Sequence, residues 1–102
     1  MPADPSPVTR AHLPALVRDI IAEVLMVDPE QVRPETALVR DLGAESLDFL
    51  DLVFRLEEGL GRTIPPAHWN DYVRDRTRGE DLAAAITTQL VLEFAERELA
   101  GQ

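Results

Sequence analysis

Residues 41–65 read DLGAESLDFLDLVFRLEEGLGRTIP, and the fold turns on how this stretch is interpreted. Asp41-Leu42-Gly43 closes a loop, and Ser46 opens a helix that should run to about Glu58 and stop at Gly59 or Gly61. Asp48, Asp51, Arg55 and Glu58, spaced three, four and three, make one polar stripe. The remaining positions are apolar: Leu47, Phe49, Leu50, Leu52, Val53, Phe54 and Leu56. That band is wider than one neighbouring helix would bury, so the helix is either central to a bundle or leaves apolar surface for a ligand or partner.

Upstream, Leu13, Leu16, Val17, Ile20, Ile21, Val24 and Leu25 recur at helical spacing. Pro14 suits a first turn, which puts the helix start near His12, and Asp28-Pro29 is expected to end it. Residues 1–7, with Pro2, Pro5 and Pro7 and no apolar periodicity, read as a disordered leader to a single domain over 8–102. The connection from Asp28 to Glu45 is long for a small domain, with Val32, Leu38 and Leu42 as its expected pins. Downstream, Pro65-Pro66 opens a short third helix with Trp69, Tyr72 and Val73 on one face. Thr77 and Glu80 have capping-box spacing before a last helix that carries Leu82, Ala83, Ile86, Leu90 and Phe94 and continues to about Leu99. The expected fold is therefore all-α: four helices, a long first loop and an extended C-terminal helix.

Composition narrows the function. The net charge is −9, which disfavours a nucleic-acid partner and favours basic protein surfaces. All ten basic residues are arginine, and Arg74, Arg76 and Arg78 form the one basic cluster, read as charge balance ahead of partner specificity. There is no cysteine, so disulfides and thiolate chemistry are excluded. No apolar run spans a bilayer and no signal peptide is evident, so the chain is expected to be cytoplasmic and not membrane-spanning. No catalytic residue or metal ligand is assigned. His12 and His68 lie in no motif, there is no G-x-S-x-G elbow, and Asp48-x-x-Asp51 matches no calcium loop.

Ser46 has two compatible readings: a plain N-cap, or an exposed hydroxyl at the positive end of a helix dipole, where a phosphodiester would be well placed. Residues 41–58 hold six acids (Asp41, Glu45, Asp48, Asp51, Glu57, Glu58) against Arg55 alone. A solvated face needs charge in any case, but a patch of one sign repels itself, and a basic docking partner would relieve that cost.

The stretch from Asp41 to Pro65, with its DLG lead, E-S-L core, following acid and I-P ending, resembles the centre of an acyl carrier protein. The likeness reaches back through the first helix and Val32-Arg33-Pro34-Glu35-Thr36. It implies 4′-phosphopantetheine attached to Ser46 by a phosphopantetheinyl transferase. The arm would hold an acyl thioester, and Leu47 would be the apolar contact beside it. Glu45, Asp48, Asp51 and Glu57 or Glu58 would dock the monomeric carrier on basic surfaces of loading, elongating and acyltransferase enzymes. Position 45 is Glu where the family usually has Asp, which puts transferase efficiency in question. SLDFLDLVF, IPPAHWNDYV and the long C-terminal region are similar to specialised bacterial carriers of very long acyl chains for lipid A. A polyketide or aminoacyl carrier, or an unmodified acidic adaptor, are the alternatives.

Overall fold

The helix α1 (Leu13–Leu25) forms where the apolar spacing requires it, burying Leu13, Val17, Ile20 and Ile21 on one side. In the computed structural model, which describes residues 9–101, a 3₁₀ turn at Arg10–His12 leads into it, and Pro14 lies in its first turn. The leader expected at 1–7 lies outside the described residues. α1 stops at Leu25, three residues before Asp28. Met26 adopts the left-handed conformation (φ 57°) and its N–H bonds Ala22 O. Asp28-Pro29 does not end α1 but starts a separate 3₁₀ turn, in which the Asp28 carboxylate accepts from the Glu30 N–H at 3.0 Å.

The connection to Ser46 is not a bare loop. It contains a further helix, α2 (Leu38–Leu42), whose C-cap is Gly43 at φ 73°. Val32 and Leu38 are buried and Leu42 half-buried, as their pinning role required. Backbone bonds to the far end of the chain add to these pins. Leu38 N–H donates to Ile86 O, Thr88 N–H to Thr36 O and Gln89 N–H to Pro34 O, each at 2.9 Å, around an isolated bridge between Ala37 and Thr87.

The same bonds correct the expected C-terminal helix. The apolar spacing from Leu82 to Phe94 is continuous, yet the chain breaks at Ile86 and Thr87 into α5 (Leu82–Ala85) and α6 (Thr88–Leu99). Ile86 and Thr87 leave helical geometry to pair with the first loop, and Thr87 then caps α6 by accepting from Leu90 N–H. Nor do Thr77 and Glu80 form a capping box. Thr77 ends the preceding helix and donates to Val73 O at 2.6 Å, and Asp81 caps α5 through the Ala83 N–H.

α3 (Ser46–Leu60) ends at Gly61, and α4 (Pro66–Arg76) follows its two prolines. α1 packs against both α3 and α6, α2 against α5, and α3 against α4. At Gly59, inside α3, an added Cβ would lie 3.2 Å from the Leu16 side chain, so this glycine is where α1 and α3 approach closely. Among the described residues, four main helices and two short ones make the all-α bundle around Phe94, Leu13, Ile21, Leu52, Leu56 and Val91. Among the described residues no helix is long and apolar enough to cross a membrane.

Candidate functional site

The approach to Ser46 is held at every residue. Asp41 Oδ2 accepts from Ala37 N–H at 2.9 Å and so ties the first turn of α2. Its carboxyl is held below the ordinary carboxylate range by the hydrogen bond from Arg40, with the Ala37 amide adding to the effect. Gly43 then turns the chain through a left-handed conformation that an L side chain rarely adopts. Ala44 is buried, and its N–H donates to Leu38 O. Glu45 is extended (φ −117°, ψ 171°), and from it the chain enters α3.

Ser46 is the first residue of the helix proper, not its N-cap; Glu45 occupies the cap position. The cap is completed from the other side, with Asp48 Oδ2 accepting from Glu45 N–H at 2.8 Å. The Ser46 side chain is thereby released from capping. It is exposed, and no hydrogen bond from it is found among the described residues. The N–H groups of Ser46 and Leu47 lie in the first turn, where no helical carbonyl is available to them.

The other anticipated residues divide into two groups. Glu45, Asp51 and Glu58 are exposed, and Leu47 is 73% exposed. Asp48 is half-exposed and shared with the cap. Glu57 turns inward, with Oε2 accepting from Ile64 N–H at 2.6 Å across the α3–α4 connection, which leaves Glu58 as the outward acid of the pair. Arg55, the lone base of the helix, bridges Asp51 at 3.2 Å and Glu23 of α1 at 3.0 Å. Of the basic cluster, Arg76 is committed to Glu93 and to the Tyr72 hydroxyl, whereas Arg74 and Arg78 pair with Asp71 and Asp75 at the surface. His68 lies against the buried Glu98, away from Ser46 in the sequence and on another helix.

Two features went unspecified in the sequence. The wide apolar band on α3 is both central and partly free. Leu52, Val53 and Leu56 are buried, while Leu47, Leu50 (61% exposed) and Phe54 (56% exposed) form an outward apolar ridge among the acids. Beside that ridge, α3 and α4 enclose a cleft of about 280 Å³ lined by Phe49, Leu50, Val53, Phe54, Ile64 and Trp69, with Glu57 and Asn70 at its polar margin. The spacing of 49, 50, 53 and 57 carries the signal for this cleft, because these positions share the face of α3 on which Ser46 stands.

A family model described as the phosphopantetheine attachment site matches residues 15–69, which include most of α1, the first loop and Ser46. An acyl carrier protein of Thermosynechococcus vestitus is 37% identical over 85 residues, covering 83% of this chain and 89% of that protein. The acyl carrier protein AcpXL of Rhizobium meliloti is 44% identical over 59 residues, 58% of this chain and 62% of its own length. Its counterpart in Brucella melitensis is 42% identical over 59 residues, covering 58% and 63%. The match therefore spans a little under two thirds of those AcpXL relatives. With the family model covering more than half of it, this chain belongs to the acyl carrier proteins, carriers whose prosthetic group is 4′-phosphopantetheine. The residues here suit that group: an exposed hydroxyl free of capping, two first-turn amides open to a phosphate, and an apolar cleft on the same helix face.

Proposed function

We propose that Ser46 is the attachment point, and that the protein carries long fatty acyl groups to enzymes of lipid biosynthesis as a cytoplasmic monomer. The observation that carries this reading is the release of the Ser46 hydroxyl from capping by Glu45 and Asp48 at the head of a 15-residue helix. In the transferase reaction Ser46 Oγ gives up its proton to a base on that enzyme and attacks the pantetheine-bearing phosphorus of coenzyme A, taking the whole 4′-phosphopantetheinyl group. One pyrophosphate bond breaks, one phosphodiester forms, and adenosine 3′,5′-bisphosphate leaves. The two open amides and the helix dipole favour the new negative charge. Once attached, the arm supplies a terminal thiol for the acyl thioester.

The chain's own residues do the rest. Glu45, Asp51 and Glu58, with Asp48 in part, draw in basic surfaces, and the Leu47–Leu50–Phe54 ridge gives those partners apolar contact. The α3–α4 cleft shelters part of the cargo, each buried Å² of apolar surface contributing about 25 cal/mol. Long-chain cargo in particular rests on the resemblance of SLDFLDLVF and IPPAHWNDYV to carriers of very long acyl chains, and the AcpXL proteins match over 59 residues.

Incubation with coenzyme A and a broad-specificity transferase, followed by intact-mass analysis, tests this. One phosphopantetheine should be gained, and none by Ser46→Ala. No gain under conditions that fully modify a control carrier would favour an unmodified acidic adaptor.

A further inference from the structure

Among the described residues, Gly43, Gly61, Gly79 and Gly101 hold a positive φ, and so does one residue that is not glycine. That residue is Met26, at φ 57° and ψ 45° where α1 ends. Glycine takes up this conformation without the clash that a Cβ makes with the following carbonyl, so methionine stores strain here that glycine would not. Packing does not offset it. The Met26 side chain is 90% exposed, more than Leu47, Leu50 or Phe54 on α3. Strained backbone gathers where a surface is used, and methionine is a side chain that adapts to the surface it meets.

The position of Met26 is set by the register of two helices. Gly59 of α3 faces Leu16 of α1, and Arg55 reaches Glu23 at 3.0 Å, so α1 and α3 run antiparallel. At about 1.5 Å per residue, the run from Leu16 to Met26 brings Met26 level with the first turn of α3, the turn that Ser46 begins. The surroundings resemble those of the ridge on α3. Residues 19–31 contain Asp19, Glu23, Asp28 and Glu30, all exposed, and no base. Arg18, just before them, is paired with Asp19, and Arg55 joins Glu23 to Asp51 of the docking helix. Met26 therefore stands as Leu47 does, an apolar side chain inside an acidic collar, at the same end of the bundle.

Enzymes that act on the thiol reach it through the arm, at a distance from the bundle. The transferase has no arm to use and must bring its own groups to Ser46 Oγ. A footprint of about 800 Å² on each partner is roughly 30 Å across, so a surface seated on Ser46 also covers the end of α1. We propose that Met26 is a recognition residue for the phosphopantetheinyl transferase, its side chain entering an apolar pocket in the basic surface that docks α3. The proposal rests on the carrier function inferred above. The acids on both helices steer that surface in, and Met26 adds apolar burial that exists only in the complex.

Initial rates of the cognate transferase, with coenzyme A saturating and the apo chain varied, test this on Met26→Gly, Met26→Asn and Met26→Leu. Glycine and asparagine suit the left-handed backbone and remove the apolar side chain, whereas leucine keeps apolar bulk on the strained backbone. KM for the chain should rise about five- to tenfold in Met26→Gly and Met26→Asn with kcat unchanged, and stay within about twofold of the parent in Met26→Leu. Melting temperature should move the other way, with Met26→Gly above the parent, so that the more stable chain is the poorer substrate. An unchanged KM in Met26→Gly and Met26→Asn would overturn the proposal. So would an equal rise in Met26→Leu, because apolar bulk would then not be what is read, or a fall in kcat at constant KM. Failure of the carrier reading is distinguishable, since the wild-type chain would then gain no phosphopantetheine in the mass spectrum.

Discussion

At the residue scale the arrangement depends on which side chain caps α3. A serine opening a helix reads as its cap, and the sequence offered no local means to tell Ser46 from Glu45 in that position. The difference is a one-residue shift, settled by the extended backbone at Glu45 and by Asp48 reaching back three residues. Asp48→Ala should therefore lower stability by about 1 kcal/mol through loss of the cap, measured by urea melts. A destabilisation indistinguishable from zero would remove Asp48 from that role. Met26 gives a prediction of the opposite sign. It holds φ 57° at the end of α1 with its side chain 90% exposed, so glycine relieves backbone strain and sacrifices little packing. Met26→Gly should stabilise the fold by about 0.5–1 kcal/mol, and a loss of stability in the same melts would mean that the exposed side chain does more than it shows.

At the scale of elements, α1 and α3 were legible because their apolar spacing is both strong and local, and α4 because Pro65-Pro66 marks its start. α2 was not, since its five residues span barely more than one turn and the residue before it, Ala37, has no side chain that could cap it. The break between α5 and α6 was hidden for another reason. Leu82, Ala83, Ile86 and Leu90 keep helical spacing straight through it, and what interrupts the helix is pairing with residues about fifty positions earlier. Thr87→Ala should cost about 1 kcal/mol, because Thr87 Oγ1 accepts from Leu90 N–H just where α6 restarts. An unchanged melting curve would show that the bridge, not the cap, defines the restart. The acidic face of α3 carries its own prediction. Asp51 and Glu58 are exposed and take no part in the cap, unlike Asp48, so Asp51→Arg with Glu58→Arg reverses charge without touching the helix start. The transferase should modify this variant about tenfold more slowly at low salt, with an unchanged far-UV spectrum. Equal rates would contradict docking through this face.

Over the whole molecule, charge sets how stability responds to pH. Asp41 and Glu93 both have carboxyls depressed in the fold, by Arg40 and by Arg76 respectively. The unfolded chain thus takes up these protons first as pH falls. Their contribution is complete above the ordinary carboxylate values of 3.8 and 4.5 and disappears as pH drops through the depressed ones. Tyr72 acts at the other end. Burial raises its phenol from 10.0 to about 12, so its contribution is intact below pH 10 and fades as pH climbs through 12. Melting temperature measured against pH should hold from neutrality down to about 4.5 as far as these two acids are concerned and then fall, less steeply in Glu93→Gln. A variant with the same acid limb as the parent would show that the Arg76–Glu93 pair is not what fails first.

The family was readable from 25 residues because the site is contiguous: loop, serine and docking helix follow one another in the chain. The cleft was not readable in the same way. Trp69 and Phe49 come from different helices, and only packing brings their rings together. The central claim can be tested at one bond. Trypsin cleaves after Arg40 and Arg55, releasing residues 41–55, in which Ser46 is the only hydroxyl-bearing side chain. Fragment masses from this peptide after transferase treatment should place phosphopantetheine on Ser46 alone; an unmodified peptide 41–55 from protein that has gained the group elsewhere would contradict the account.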